Sequence, residues 1–171
     1  MPDFDVDALY AALDEQRRSR GLTWAEVTRE INGRVAGPPL RAISASTITG
    51  MRTRRAIEGD GVLQMLRWLG RAPEEFVPGR APGTAADAAL PVVEPGQILR
   101  FDTRALHAAI DAQRTARGMT WTQVARDIGG CSTASLTRLA AGGRTAFPDI
   151  VRIARWLGRP LASLTRVVGQ P

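Results

Sequence analysis

At 171 residues, with one cysteine, one histidine and a net charge of +6, the chain offers neither a disulfide nor a Cys/His metal cluster, so no metal or cofactor is expected. It has no run of about 18 apolar residues, and its first residues, MPDFDVDALY, are acidic where an export signal would be basic; these exclude a membrane partner and predict a cytoplasmic, nucleoid-associated protein. All 23 basic residues are arginine, whose planar fork matches phosphate oxygens and guanine edges, although codon bias in a GC-rich genome is the plainer reason for the missing lysine.

The first predicted helix covers about residues 5–20, with Val6, Leu9, Tyr10 and Leu13 at helical spacing and Gly21 as its stop. A capping box follows in Thr23-Trp24-Ala25-Glu26, opening a short second helix over Val27 and Ile31. Nine residues, Arg34 to Ala42, enlarge the next turn, and Pro38-Pro39 forbids helix there. Ser44 then caps a third helix whose Ile48 and Met51 point inward. A fourth helix carries Val62, Met65, Leu66 and Leu69, and a short fifth follows Gly70.

Residues 77–100 hold four prolines and three glycines and read as a linker with a root-mean-square span of about 27 Å, enough for neighbouring half-sites about 34 Å apart. Leu90, Val92, Val93, Ile98 and Leu99 leave open the other reading, in which this segment docks onto a domain. No alternating strand pattern is visible.

The same series of elements then starts again. Residues 4–33 recur without a gap as 101–130, with 17 of 30 positions identical, and after the nine-residue interruption the match resumes with Ser44 opposite Ser132 and Arg67–Arg71 opposite Arg155–Arg159. The expected architecture is all-α: a first domain over 1–78 with an enlarged turn at 34–42, a linker over 79–99, and a second domain over 100–171. Charge divides unevenly, with 12 Arg against 13 acids in residues 1–95 and 11 Arg against 4 acids in 96–171, so the second half is the more obvious polyanion binder. Even so, residues 31–57 of the first half carry five arginines and no acid.

Between helices two and three of the second copy stands Gly129-Gly130-Cys131, a short glycine-bearing turn of the helix-turn-helix kind. With that turn, the segment GMTWTQVARDIGGCSTASLTRLAAGGRTAFPDIVRIARWLGRPLASL and its counterpart GLTWAEVTREING…SASTITGMRTRRAIEGDGVLQMLRWLGRAPEEF resemble the lambda repressor/Cro-like (XRE-type) helix-turn-helix family. The resemblance covers about 140 of the 171 residues. It implies two tandem five-helix domains in which helix three reads the major groove of double-stranded DNA while the start of helix two and the loop after helix three hold phosphates.

Carried onto the second copy, the resemblance makes Ser132, Thr133, Thr137 and Arg138 base-facing, with Arg144 a phosphate contact. In the first copy the face offers Ser46, Thr47, Thr49, Arg52, Thr53, Arg54 and Arg55, with Gly50 where Arg138 stands. Arg34 and Arg41 lie in the enlarged turn, placed to run along the sugar-phosphate backbone unless that turn pushes helix three out of the groove. Trp24 and Trp121 open helix two, either donating to phosphate or closing the core against helix one. Arg17 and Arg114 are expected to tie helix one to helix two through Glu26 or Gln123.

The function this predicts is a sequence-specific DNA-binding transcription regulator, a repressor by family habit, with two domains on adjacent half-sites replacing the usual dimer. The alternative is an antitoxin-like or anti-activator protein whose first domain grips a protein partner while only the second binds DNA. The acidic first helix (Asp5, Asp7, Asp14, Glu15) supports that second view. An enzyme is not expected, because acid–base chemistry needs a histidine or paired carboxylates in a pocket.

Overall fold

The computed structural model describes residues 3–33, 42–54, 57–79 and 89–169. Among these residues it is mostly helical, with one small antiparallel sheet. No helix among them is long and apolar enough to cross a membrane.

In the first copy α1 (Val6–Ser19) is capped by Asp5, whose carboxylate accepts from the Ala8 N–H at 2.8 Å. Then follow α2 (Trp24–Gly33), α3 (Ala45–Thr49), α4 (Gly59–Leu69) and a 3-10 turn at Pro73–Phe76. Strand β1 (Gln97–Phe101) leads into the second copy: α5 (Thr103–Ala116), α6 (Trp121–Ile128), α7 (Thr133–Arg138) with a 3-10 extension at Leu139–Ala141, α8 (Phe147–Leu157), a 3-10 turn at Leu161–Leu164, and strand β2 (Thr165–Gly169). The fifth helix expected in each copy is thus a single 3-10 turn.

The sheet corrects the all-helical expectation. β1 and β2 pair antiparallel from Gln97 opposite Gly169 to Phe101 opposite Thr165. Alternation misses β1 because Ile98 and Leu99, adjacent in sequence, are both buried. The strand lies between β2 and α4, and α4 supplies its missing edge partners. Gln64 donates to the Leu99 carbonyl at 2.8 Å, and Asp60 accepts from the Phe101 N–H at 3.0 Å and from Arg100 at 2.9 Å. An edge that would otherwise be open to other strands is closed by side chains of the first copy.

The interval expected to be a linker, 79–99, therefore ends in structure. Leu90 and Val93 lean on the core, whereas Val92 is 87% exposed. The docking alternative is the one realised at its end, by Ile98 and Leu99.

Packing as well as chain joins the two copies. One continuous cluster of buried side chains runs from Phe4, Leu9 and Val62 through Phe101 and Phe147 to Leu161 and Leu164. At its centre Glu58 and Ala146 form an antiparallel bridge, with Phe147 N–H donating to the Ile57 carbonyl at 2.8 Å and Gly59 N–H to that of Thr145 at 3.0 Å. By the repeat alignment Glu58 and Ala146 are each other's counterparts, as are Gly59 and Phe147. A bond of one copy is thus returned by the equivalent bond of the other, which is the signature of an isologous, twofold contact.

Around this point α4 packs on its counterpart α8, and the two 3-10 turns pack on each other. Asp3 bonds Arg152 of α8 at 2.7 Å, and the buried Glu74 accepts from Leu161 N–H at 2.7 Å. The Phe4 and Phe147 rings meet edge-on at 4.5 Å. The twofold is imperfect where size matters. Phe147 fills the joint from one side, while a Cβ on Gly59 would stand 2.5 Å from Ile150 Cδ1 and 3.0 Å from the Phe101 ring.

Candidate nucleic-acid interface

The two third helices are short because little in them favours more. Each starts at a serine cap, with Ser44 accepting from Thr47 N–H at 3.1 Å and Ser132 from Ser135 N–H at 3.0 Å. Each is pinned by one apolar stripe, Ile48 and Met51 in α3 and Leu136 and Leu139 in and after α7, all buried.

The rest of each face is turned to solvent or half-buried. Ser132, Thr137 and Arg138 are exposed and Thr133 is half-buried; Ser46, Thr49, Arg52, Thr53 and Arg54 are exposed and Thr47 is half-buried. Thr49, Thr53 and Thr137 donate their hydroxyl protons to backbone carbonyls three or four residues earlier. What they still offer outward is an acceptor. Base edges that donate in the major groove, the amino groups of adenine and cytosine, suit such a face.

Arg138 makes no ion pair with any described residue. With Ser135, Gly143 and Arg144 it lines a shallow groove running from α7 to the joint between the copies. Two other cations expected on the ligand side are engaged within the chain: Arg144 pairs with Glu58 of the opposite copy at 3.0 Å, and Arg52 pairs with Asp7 at 2.9 Å. Arg34, Arg41 and Arg55 lie outside the described residues.

Gly50 is C-cap to α3, and Arg54 crosses over it; a Cβ on Gly50 would stand 3.6 Å from Arg54 Nε and 2.8 Å from the Ser46 carbonyl. The bare backbone there makes room for a close approach. The first copy consequently presents a guanidinium from one turn later at the spot where the second copy roots Arg138.

Trp24 and Trp121 pack against helix one. Trp24 is half-buried with Tyr10 at 5.6 Å and Arg17 over its ring, and Trp121 stacks on His107 at 5.0 Å with Arg114 above. Of their two readings, this geometry matches closure of the core. The expected partners of Arg17 and Arg114 need correction. Arg17 bonds Asp14 and the Leu22 carbonyl, and Arg114 bonds Asp111 and the Met119 carbonyl. Glu26 and Gln123 are instead used in their capping boxes, and the Thr23 backbone and hydroxyl donors hold the Glu26 carboxyl below its ordinary value. Helix one is tied to helix two through Arg20 and Glu30 at 2.7 Å. Cys131 is half-buried, and desolvation together with nearby Asp149 pushes its thiol up to about 11, so it stays protonated as a turn residue.

Asn32 carries a role that the sequence reading missed. Its side chain donates to the Ile43 carbonyl at 2.8 Å and accepts from the Ile43 N–H at 2.9 Å. This closes the enlarged turn at its base, and Ile48 and Met51 keep full burial beyond it. The extra residues therefore leave helix three seated. Asn32→Ala is expected to lower stability by about 1–3 kcal/mol through the two lost backbone bonds, and Asn32→Asp, which keeps only the acceptor, by about half as much. Urea unfolding of both variants checks the order.

No family model, curated protein or solved structure matches this chain.

Proposed function

We propose that the chain is a sequence-specific double-stranded DNA-binding transcription regulator of the lambda repressor/Cro-like (XRE-type) kind, most simply a repressor, in which two helix-turn-helix units joined in one molecule occupy adjacent half-sites. The observation that carries the reading is the isologous joint at Glu58 and Ala146, reached a few residues after each third helix. A twofold relation between two outward, hydroxyl- and arginine-bearing helices matches the dyad that relates two half-sites of a duplex. The net +7 of residues 96–171 supplies the backbone attraction on which such binding depends.

Selection of bound sequences from a random duplex pool tests it. The expected result is one motif with two unlike half-sites at a single spacing, because the two faces differ in sequence and cannot pivot freely. Motifs at variable spacing would remove the fixed pair, and no enrichment would remove the DNA reading.

A second reading, in which the first copy holds a protein partner, has one observation in its favour: Asp7 neutralises Arg52 on the very face that would meet phosphate. Charge reversal at Arg52 and Arg54 separates the two. DNA reading by both copies predicts lost affinity and a smaller salt slope, whereas protein capture by the first copy predicts DNA binding unchanged.

A further inference from the structure

Resting on that DNA reading, we infer that the residue in the first turn of helix one, Asp7 in one copy and Arg104 in the other, sets how strongly each half holds the sugar-phosphate backbone, and that Arg104 is an additional phosphate contact.

Helix α5, with Arg104 in its first turn, packs against the 3-10 turn Leu139–Ala141. There the exposed Arg104 crosses the backbone of Gly142, whose φ is +77° and on which a Cβ would stand only 3.0 Å from Arg104 Nε. Any side chain at Gly142 would lift the guanidinium off the loop. Arg104 makes no ion pair among the described residues, unlike Arg100, Arg114, Arg144, Arg152 and Arg155 of the same copy, which are all paired. With Arg138, whose Cγ would stand 3.9 Å from a Cβ on Gly143, it puts two cations without an ion pair among the described residues beside Gly142-Gly143.

The first copy inverts each choice. Asp7 stands for Arg104, Gly50 for Arg138, Arg52 for Ala140 and Arg54 for Gly142. Asp7 draws Arg52 to 2.9 Å, and Arg52 also rests over the Tyr10 ring. The corresponding sets of side chains thus carry a net charge of +1 in the first copy and +2 in the second. The acid withholds in one half what the arginine supplies in the other, so the second copy is the anchor and the first is held more weakly.

The test uses the full chain and a duplex bearing its selected site, with affinity measured from 50 to 300 mM salt. Arg104→Ala is expected to weaken binding about five- to tenfold near 0.1 M salt and to lower the salt slope by about one. Asp7→Asn, which frees Arg52, is expected to strengthen binding several-fold and to raise the slope by about one. Melting of both variants is followed in parallel, and Arg104→Lys is expected to restore the slope. If the wild-type chain binds no duplex, the DNA reading itself fails. If it binds, and Arg138→Ala weakens it while Arg104→Ala or Asp7→Asn leaves affinity and slope unchanged, this inference alone is overturned.

Discussion

Phe147→Ala is expected to lower stability by about 3–5 kcal/mol and to unfold both copies together. The side chain is fully buried, and its loss removes a large ring and leaves a cavity. What gives the result its meaning is where the ring sits, against Phe4 of the first copy at 4.5 Å and Phe101 of the second at 5.9 Å. If the core is one unit, calorimetry of the variant shows a single transition displaced downwards. If the copies were separate domains, the second would melt early while the first kept the wild-type midpoint. A retained upper transition in the variant would refute the shared core.

Arg138→Ala is expected to weaken binding to the selected duplex by about 1–3 kcal/mol, roughly five- to 150-fold, and to relax preference at one base pair. Arg138 ends α7, is exposed, and has no acid partner among the described residues. A contact to a base edge changes discrimination among sequences, whereas a contact to phosphate weakens all sequences alike and lowers the salt slope by about one. Binding of the variant to the four duplexes that differ at the affected position distinguishes the two. An unchanged affinity for every duplex would leave α7 without the role assigned to it.

Much of the local structure was legible because it is written in short-range chemistry. The Thr23–Glu26 capping box forms and Ser44 and Ser132 cap the helices they precede, and the stripes at Ile48, Met51, Leu136 and Leu139 face inward. The sheet and the joint were not legible, since both depend on partners far along the chain. Leu99 falls in the expected linker and Phe101 opens the second copy, and nothing local marks a strand there until Gln64 and Asp60, some forty positions earlier, satisfy their backbone. The exchange of Phe147 for Gly59 looks like drift until Ile150 and the Phe101 ring are seen to take the space that a Cβ on Gly59 would need.

Within the candidate site, sequence located the exposed faces but not their internal ties. Arg52 and Arg144 are cations on any reading, and only three-dimensional proximity shows each meeting an acid, Asp7 and Glu58. The tie made by Asn32 has no local signal, because its partner, Ile43, lies eleven positions away across the extra loop.

The bridge between Glu58 and Ala146 bears on how such a regulator would respond to its own abundance. A repressor assembled from two chains must first associate, so its occupancy climbs steeply with the number of molecules in the cell. Under the proposed function both halves arrive in one chain, so occupancy is expected to follow a hyperbolic dose response and to hold at low copy number. Because each half has its own codons, the exposed faces of α3 and α7 can also diverge separately, while the shared joint ties the buried residues of the two copies together.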